Sequence, residues 1–330
     1  MKYRALGSRG VTVSEIGFGA WGIGGLAYGP TDDALSLRAL HGAFERGVTF
    51  YDTADLYGNG RSETLIGQAF EGLRSRVVIA SKVRLPARDA ADDTARHIRE
   101  SLQASLRRLR TDYLDVYQVH DPELERLNDP AVWDTLRALR TEGVIRALGV
   151  SLRAPEDGLE VVTRFGVDCI QANFNVLDQR ILDNGLLALC AQRGVGLIAR
   201  TPLCFGFLTG EYAPEMRFAA EDHRSRWGQA QRERWAEAHR LFAPLKAAQA
   251  QSGAQFALRF CLAYEAMSCA IPGMLTMDHV DDNVAASDLG PLPASQRETI
   301  ERLYRQHDFF VERVSAWRAE SHEQSEVKAA

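Results

Sequence analysis

Short apolar runs alternate with longer segments of helical periodicity along most of the chain. Runs rich in Val, Ile and Tyr predict strands, whereas apolar residues spaced three and four apart predict amphipathic helices. The predicted strands are Glu15–Ala20, Val48–Tyr51, Val77–Ser81, Tyr113–Val119, Val144–Val150, Val167–Gln171, Val195–Ala199 and Ser268–Ile271. The predicted helices are Asp32–Arg46, Ser62–Phe70, Asp92–Arg110, Pro130–Arg140, Pro155–Phe165, Gln179–Gln192, Arg232–Gln251, Ala254–Tyr264, His279–Ala286 and Ala294–Tyr304.

This alternation predicts an α/β fold with a parallel sheet, because parallel strands need a helical crossover between them. Eight strand signals, most followed by a helix, within about 270 residues fit one closed (β/α)8 TIM barrel better than two doubly wound domains. With no Pro/Ser-rich linker, residues 1–330 are predicted to form a single domain. Residues 1–16 read as an N-terminal β-hairpin turning through Gly7-Ser8-Arg9-Gly10, and residues from about 307 to 330 read as a charged tail after extra C-terminal helices.

Composition narrows the class of protein. The chain is 45% hydrophobic and 25% charged, which is typical of a soluble globular protein, and it carries a formal net charge of −5. That charge argues against nucleic acid or an anionic membrane as a principal partner. No apolar run is long enough to span a bilayer, and the N-terminus lacks the apolar core of a signal peptide. Five scattered cysteines without C-x-x-C spacing suit reduced thiols in the cytoplasm and indicate neither disulfides nor a metal site.

Four side chains of chemical interest stand at the C-terminal ends of the second, third and fourth predicted strands. They are Asp52, Tyr57, Lys82 and His120. Taken singly, each has an ordinary explanation: a cap, a packed ring, a solvated lysine and a structural histidine. Taken together, they lie where barrel enzymes keep their catalytic groups, so we predict that they form an active site.

This set of groups suits the reduction of a carbonyl. An arriving hydride leaves an alkoxide, which needs a proton and hydrogen-bond donors. We expect Tyr57 to be the acid, with the Lys82 ammonium lowering the tyrosine pKa and Asp52 fixing the lysine. His120 would orient the carbonyl or share in proton delivery. In reverse, the same groups would oxidise an alcohol.

A glycine-rich segment, Gly17-Phe18-Gly19-Ala20-Trp21-Gly22, matches the G-x-G-x-x-G pattern of dinucleotide-binding folds. That fingerprint opens directly into a helix, but here further glycines and Pro30 precede the first helical pattern. We therefore interpret the segment as a loop at the mouth of the first strand. Trp21 lines a substrate pocket there or simply packs.

Several collinear motifs resemble the aldo-keto reductase superfamily. They are Gly47–Ala54 with Tyr57-Gly58, Ile79-Ala80-Ser81-Lys82, Ser105–Leu109 with Thr111–Asp115, Gly143–Arg146 with Gly149-Val150-Ser151, Pro202-Leu203, Gly206, Leu208–Gly210 and Ile271-Pro272-Gly273. The resemblance runs from Leu6 to about Asn283, and is strongest to the bacterial and plant branch related to potassium-channel β subunits. It implies a barrel closed at its N-terminal end by the hairpin, the Asp52/Tyr57/Lys82/His120 tetrad, and a nicotinamide cofactor extended across the strand ends.

The same resemblance implies a set of cofactor-binding positions. They are Gly19, Trp21, Asp52, Ser151, Gln171, Arg200, Thr201, Pro202, Leu203, Gly206, Leu208, Gly210, Gly273, Leu275, Thr276, His279, Asp282 and Asn283. Arg200 replaces an aromatic that stacks on the nicotinamide. Met274 and Leu275 stand where relatives that prefer NADP place residues that grip the 2′-phosphate. NADP(H) is slightly favoured, with NAD(H) as the alternative, and no metal is implied.

The predicted activity is NAD(P)-dependent, reversible hydride transfer between nicotinamide C4 and an aldehyde, ketone or sugar. Two alternatives stay open: a nicotinamide-sensing regulatory subunit like the channel-associated relatives, and an aldose or sugar-alcohol dehydrogenase working oxidatively. Candidate substrate contacts are Trp21, Tyr28, Arg84 and Phe174, from loops that include Arg84–Asp89. The segment Thr209–Trp227 is either a lid over the cofactor or a solvated surface loop. The sequence predicts no oligomeric state.

Overall fold

The computed structural model describes residues 1–86 and 93–311. Part of the predicted substrate loop (87–89), the first residue of the predicted helix Asp92–Arg110 and most of the predicted tail (312–330) lie outside these residues. Within the described ranges, the strands form a two-stranded antiparallel hairpin and one eight-stranded parallel sheet. The strands are β1 (Tyr3–Ala5), β2 (Thr12–Ser14), β3 (Phe18–Gly19), β4 (Phe50–Asp52), β5 (Val78–Val83), β6 (Leu114–His120), β7 (Ile145–Ser151), β8 (Cys169–Asn173), β9 (Gly196–Arg200) and β10 (Met267–Ala270).

Strands β3 to β10 neighbour one another in chain order, and the ends of the sheet meet. Ile16 pairs with Ala270 and Gly19 with Gly273, both in parallel orientation. The Gly17 and Gly19 amides donate to the carbonyl oxygens of Ala270 and Pro272, each at 2.9 Å. The predicted α/β barrel is confirmed.

The glycine-rich segment serves this closure. A Cβ at Gly19 would stand 2.7 Å from the carbonyl oxygen of Ile271, and one at Gly17 would stand 2.8 Å from the Phe50 ring. Only glycine therefore lets the first strand approach the last. A short 3₁₀ turn follows at Gly22–Gly24, and the next α-helix begins at Asp33. The segment does not have the strand–turn–helix form of a dinucleotide fingerprint.

Helices follow the strands as the sequence pattern predicts. They are α1 (Asp33–Glu45), α2 (Arg61–Ala69), α3 (Thr94–Leu109), α4 (Pro130–Thr141), α5 (Gly158–Arg164), α6 (Arg180–Asp183), α7 (Leu186–Arg193), α8 (Gln229–Ala238), α9 (Ala243–Ala247), α10 (Gly253–Leu262), α11 (Met277–Leu289) and α12 (Ala294–Gln306). The Asp32 carboxylate caps α1 by accepting from the Leu35 amide at 2.8 Å.

Two predicted helices are each divided in the structure. The prediction for Gln179–Gln192 is wrong at Gly185, whose φ of +81° ends α6 and starts α7. The prediction for Arg232–Gln251 is wrong at His239–Phe242, where the chain tightens into a 3₁₀ turn before α9.

The hairpin closes the N-terminal end of the barrel. Leu6, Val11 and Val13 are buried and form one apolar cluster with inward-facing residues of the barrel strands. Those strand residues are Phe50, Ala80, Val116, Ala147, Cys169, Ile198 and Cys269. The plug is apolar throughout, so this end of the barrel interior has the character of a packed core.

Three further observations concern features that the sequence raised. Of the helices in the described ranges, none is both long and apolar enough to cross a bilayer. The five cysteines are buried free thiols. No group of three or more His, Cys, Asp or Glu side chains placed to hold a metal ion occurs among residues 1–86 and 93–311.

Candidate active site

The barrel interior changes from apolar to polar along each strand. Residues two apart on a strand face the same side, so the residues that follow the apolar plug by two positions also point inward. On β4, β5, β6 and β8 these are Asp52, Lys82, Gln118 and Gln171. All four are buried, which places a charged and hydrogen-bonded layer directly above the plug.

Lys82 is the centre of this layer. Its side chain is fully buried, and its Nζ donates to Asp52 Oδ2 at 2.7 Å, to the Thr53 carbonyl oxygen at 2.7 Å and to Tyr57 Oη at 3.2 Å. Three acceptors match the three N–H groups of an ammonium. The structure therefore brings together Asp52, Tyr57 and Lys82 as the sequence predicts.

Burial and ion pairing act against each other on these groups. Burial is the largest influence on Lys82 and disfavours its charge, but Asp52 and Tyr57 together outweigh it and raise the lysine pKa. The pKa of Tyr57 is also raised: burial raises it more than the Lys82 ammonium lowers it. Lys82 lowers the tyrosine pKa as the sequence predicts, but desolvation of the phenolate is the larger effect and leaves the pKa raised.

Asp52 has further donors that the sequence reading missed. Its Oδ1 accepts from Gln171 Nε2 at 2.7 Å and from Gln118 Nε2 at 3.4 Å. The signal for Gln118 was present, since it alternates with His120 on a strand whose interior face is otherwise apolar. These amides hold the carboxylate in place while it accepts from Lys82.

Tyr57 is positioned by contact between two glycine-rich backbones. Gly58 has a φ of +64°, and a Cβ on it would overlap the carbonyl of Gly24. Conversely, a Cβ on Gly24 would stand 2.8 Å from the Tyr57 carbonyl carbon. The start of α2 is fixed beside this turn, since Ser62 Oγ donates to the Ala20 carbonyl oxygen at 2.9 Å.

His120 ends β6 and faces the tyrosine. The two ring centroids are 6.0 Å apart and nearly perpendicular. Burial, only partly offset by the Asp121 carboxylate, lowers the pKa of His120 to about 3, so the imidazole is neutral at physiological pH. Its Nδ1 is buried without a hydrogen-bond partner among the described residues. A neutral imidazole has one N–H to donate and one nitrogen to accept.

Arg200 is held rigidly beside this group. Its Nε donates to Asn173 Oδ1 at 2.8 Å, and its Nη1 donates to Asp121 Oδ1 at 2.7 Å and to Ser151 Oγ at 3.0 Å. Its Nη2 donates to the Leu152 carbonyl oxygen. The ion pair overcomes the burial of Asp121 and lowers the pKa of that carboxyl. The guanidinium thus presents a fixed plane to the barrel mouth.

A cavity of about 330 Å³ opens above these residues at the C-terminal mouth of the barrel. Tyr57 lines it, together with most of the predicted cofactor positions. Those positions are Gly19, Trp21, Asp52, Gln171, Arg200, Thr201, Pro202, Leu203, Gly206, Gly273, Leu275, His279, Asp282 and Asn283. Gly22, Phe205 and Ala254 also line the cavity and were not among the predicted positions. Thr209, Glu211, Tyr212 and Arg224 line it as well, and they belong to the segment Thr209–Trp227, for which a lid over the cofactor was one of the two predictions.

Four predicted cofactor positions are not brought to the cavity wall. Ser151 is buried behind it, where its hydroxyl donates to Gln171 Oε1 at 3.2 Å. Leu208 packs in the core, Gly210 faces the His239 ring, and Thr276 caps α11 through the His279 amide.

Two of the four candidate substrate contacts, Phe174 and Arg84, do not line the cavity. Phe174 is fully buried against the rings of Phe260 and Tyr264. Arg84 is exposed and outside the wall, whereas Trp21 and Tyr28 do line the cavity.

The segment around residues 222–224 is anchored over one side of the cavity. The amide and Nδ1 of His223 both bond to the Ala27 carbonyl oxygen, at 2.8 and 2.7 Å. Arg224 is buried, pairs with Asp222 and donates to Tyr212 Oη at 2.7 Å. For residues 222–224, the alternative in which Thr209–Trp227 is a solvated surface loop is therefore wrong. The polar composition of this segment did not predict that Arg224 would be buried.

Comparison with known proteins shows which family the chain belongs to. The model of the aldo/keto reductase family matches residues 15–305. The aldo-keto reductase YhdN of Bacillus subtilis is 33% identical over 245 residues, which is 72% of this chain and 72% of that protein. A probable voltage-gated potassium channel subunit beta of Oryza sativa subsp. japonica is 30% identical over 312 residues, which is 88% of this chain and 93% of that protein.

A solved structure of a protein with a bound cofactor has a similar fold. An aldo/keto reductase from Klebsiella pneumoniae in complex with NADP and acetate is 28% identical, covers 92% of this chain and 96% of its own, and superposes with a TM-score of 0.70. The family match spans every strand of the barrel sheet and the buried Lys82–Asp52 pair. The chain therefore belongs to the aldo/keto reductase family and is an NAD(P)-dependent oxidoreductase.

Proposed function

We propose that the protein catalyses reversible hydride transfer between a nicotinamide cofactor and a small aldehyde, ketone or sugar, with Tyr57 as the general acid and base. The observation that carries the proposal is the fully buried Lys82 ammonium, which donates to both Asp52 and Tyr57. A buried charge with two such partners is costly to maintain without a function. Tyr57 also lines the cavity in which a substrate would lie.

The cavity suits an extended nicotinamide dinucleotide. Gly273 is exposed and a Cβ on it would meet nothing within 4 Å, so the backbone there is open to close approach by a ligand. Phe205 and Gly206, which line the cavity in the loop after β9, both have left-handed backbone conformations, with φ values of +56° and +95°. Gln171 and Arg200 would hold the nicotinamide end, and Asp282 and Asn283 the adenosine end. When bound, the nicotinamide supplies or accepts the hydride.

Residues of the chain would then carry out the proton transfer that accompanies hydride transfer. In the reductive direction Tyr57 donates its proton to the carbonyl oxygen as negative charge develops there. Lys82 stabilises the phenolate that remains, and Asp52 keeps the ammonium in position. The neutral His120 donates its N–H to the carbonyl oxygen and so orients it. The C-terminal loops exclude water around these groups.

The raised pKa of Tyr57 predicts different pH profiles of kcat/KM for reduction and for oxidation. The phenol is protonated throughout the neutral range, so kcat/KM for reduction should be flat from about pH 6 to 8, below the ordinary tyrosine pKa of about 10. Oxidation needs the phenolate, so its kcat/KM should rise about tenfold per pH unit until the tyrosine pKa is reached. Initial rates in both directions across this range check the prediction. An oxidation rate that does not change with pH would contradict it.

Cofactor preference should be weak, with NADP(H) slightly favoured. The segment before α11 and the helix itself bring Leu275, His279, Asp282 and Asn283 to the wall, and none of these is a lysine or arginine. A charge-assisted contact to the 2′-phosphate is worth about 1.5–3 kcal/mol. Because these positions supply no such cation, Kd values for NADPH and NADH should agree within about tenfold. Calorimetric titration with each cofactor measures this, and a preference of about a hundredfold for either would refute it.

The activity itself is tested by following nicotinamide absorbance with a panel of aldehydes, ketones and aldoses. We expect cofactor oxidation that depends on both the carbonyl compound and the enzyme. Tight cofactor binding with negligible turnover on every member of the panel would instead support the sensing role of a regulatory subunit. Comparing kcat/KM for both directions at neutral pH separates a reductase from a sugar-alcohol dehydrogenase.

A further inference from the structure

A second cavity lies at the opposite end of the barrel from Tyr57. Its volume is about 380 Å³, and its wall comes from the hairpin turn, the end of α4 and the first residues of β5 and β7. Three arginines from separate elements line it: Arg9, Arg140 and Arg146. Apart from these and Asp115, the wall consists of glycine, apolar side chains and Thr12.

Two buried carboxylates hold these arginines in place. Asp168 accepts from Arg9 at 2.8 Å and from Arg140 at 2.7 Å. Asp115 accepts from Arg146 at 2.7 Å and from Arg74 at 2.8 Å. Four guanidinium groups against two carboxylates leave this cluster with two uncompensated positive charges, on a chain whose net charge is −5.

The arginines keep unused hydrogen-bond donors. Arg9 gives only its Nε to Asp168, and Arg140 and Arg146 each give only one terminal nitrogen to a carboxylate, among contacts between described residues. Each guanidinium carries five N–H groups, so most of these donors have no acceptor among residues 1–86 and 93–311. The Arg146 guanidinium also lies 4.2 Å above the Tyr113 ring, which fixes its plane. These donors are thus already oriented before any ligand arrives.

We propose that this cavity binds a small phosphate-bearing molecule. A phosphate monoester carries about −1.5 to −2 charges at pH 7, which matches the two uncompensated positive charges of the cluster. Its oxygens accept paired hydrogen bonds from guanidinium forks. The cavity has room for a phosphate and a short organic group beside the apolar wall. A recessed site on an acidic chain favours such a molecule over the extended backbone of a nucleic acid.

Arg9 and Arg146 are the informative positions for a test. Their side chains are 50% and 56% exposed, and each shares its carboxylate with a more buried arginine. In the double variant Arg9→Gln/Arg146→Gln, Asp168 keeps Arg140 and Asp115 keeps Arg74. The variant should therefore fold, which far-ultraviolet circular dichroism and thermal unfolding check. Arg305→Gln, on the exposed face of α12, is the matched control.

The experiment is calorimetric titration of the full chain with inorganic phosphate and with pyrophosphate at low ionic strength, in the presence of saturating NADPH to fill the other mouth of the barrel. We expect saturable binding to the wild type and to Arg305→Gln, and affinity at least about tenfold weaker in the double variant. Three results would overturn the proposal: no saturable binding to the wild type, equal affinity in the double variant, or binding of DNA or RNA fragments in place of both phosphates. If the double variant fails to fold, the single variants Arg9→Gln and Arg146→Gln replace it, and each should bind more weakly than the wild type; equal affinity in both would overturn the proposal.

Discussion

Replacing Tyr57 with phenylalanine is expected to lower kcat for carbonyl reduction by about 10²- to 10⁴-fold, the range contributed by positioned acid catalysis. The substitution removes one oxygen and leaves the ring. The carbonyl oxygen then has no phenol to protonate it as the hydride arrives, and only water and the neutral His120 remain. Steady-state rates with a good substrate, at saturating cofactor, measure the loss.

The variant should otherwise resemble the wild type. Lys82 loses one acceptor at 3.2 Å but keeps Asp52 and the Thr53 carbonyl, both at 2.7 Å. The ring keeps its place beside Trp21 and His120. We therefore expect cofactor Kd and thermal stability to change little. A variant with full turnover would show that Tyr57 is not the acid, whereas an unfolded variant would have to be replaced by Tyr57→His.

Replacing Lys82 with methionine should damage both catalysis and stability. Breaking a buried ion pair typically costs about 3–5 kcal/mol in the free energy of unfolding, because the remaining charge stays buried. Here Asp52 keeps the amides of Gln118 and Gln171, so the low end of that range applies. Catalysis should fall by at least about 10²-fold, because the phenolate left on Tyr57 loses the ammonium group that donates to it. Denaturant unfolding and steady-state kinetics measure the two effects.

The control for this variant is Lys246→Met on α9, whose ammonium makes no ion pair within the described ranges and should be nearly neutral in both assays. Asp52→Asn in the Lys82→Met background should recover part of the stability, because it removes the unpaired charge, without recovering turnover. Lys82→Met with unchanged unfolding free energy would mean that the Lys82–Asp52 pair is not a stability determinant. Unchanged turnover would exclude the lysine from catalysis.

The sequence was most informative where a residue's role depends on strand position. Asp52, Lys82 and His120 terminate or nearly terminate strands, and parallel strands bring such ends to one mouth of a barrel. Gln118 also points into the barrel from β6, but an amide within a largely apolar strand indicates a functional site less strongly than a charged residue does. The net direction of the Tyr57 pKa shift could not be predicted, because the sequence shows a neighbouring ammonium but not the desolvation of the phenol.

Loops and helix divisions were beyond the sequence for physical reasons. The 222–224 segment is polar, yet His223 bonds to the distant Ala27 and Arg224 is buried beside Tyr212, and neither contact is visible in the local sequence pattern. Gly185 ends α6 in a run whose apolar spacing continues past it, so periodicity alone predicted one helix. The glycines at 17 and 19 show the reverse: their spacing matches a nucleotide motif, but the structure uses them where the first strand approaches the last.

The most direct test of Tyr57 as the proton donor is a single-turnover measurement of hydride transfer. Enzyme loaded with reduced cofactor is mixed with carbonyl substrate, and nicotinamide absorbance is followed by stopped flow in the wild type and in Tyr57→Phe. Because one turnover is observed, slow product release cannot hide the chemical step. We predict that this step slows by about 10²-fold or more in Tyr57→Phe while cofactor affinity is retained. Equal single-turnover rates in the two proteins would contradict the assignment of Tyr57 as the proton donor.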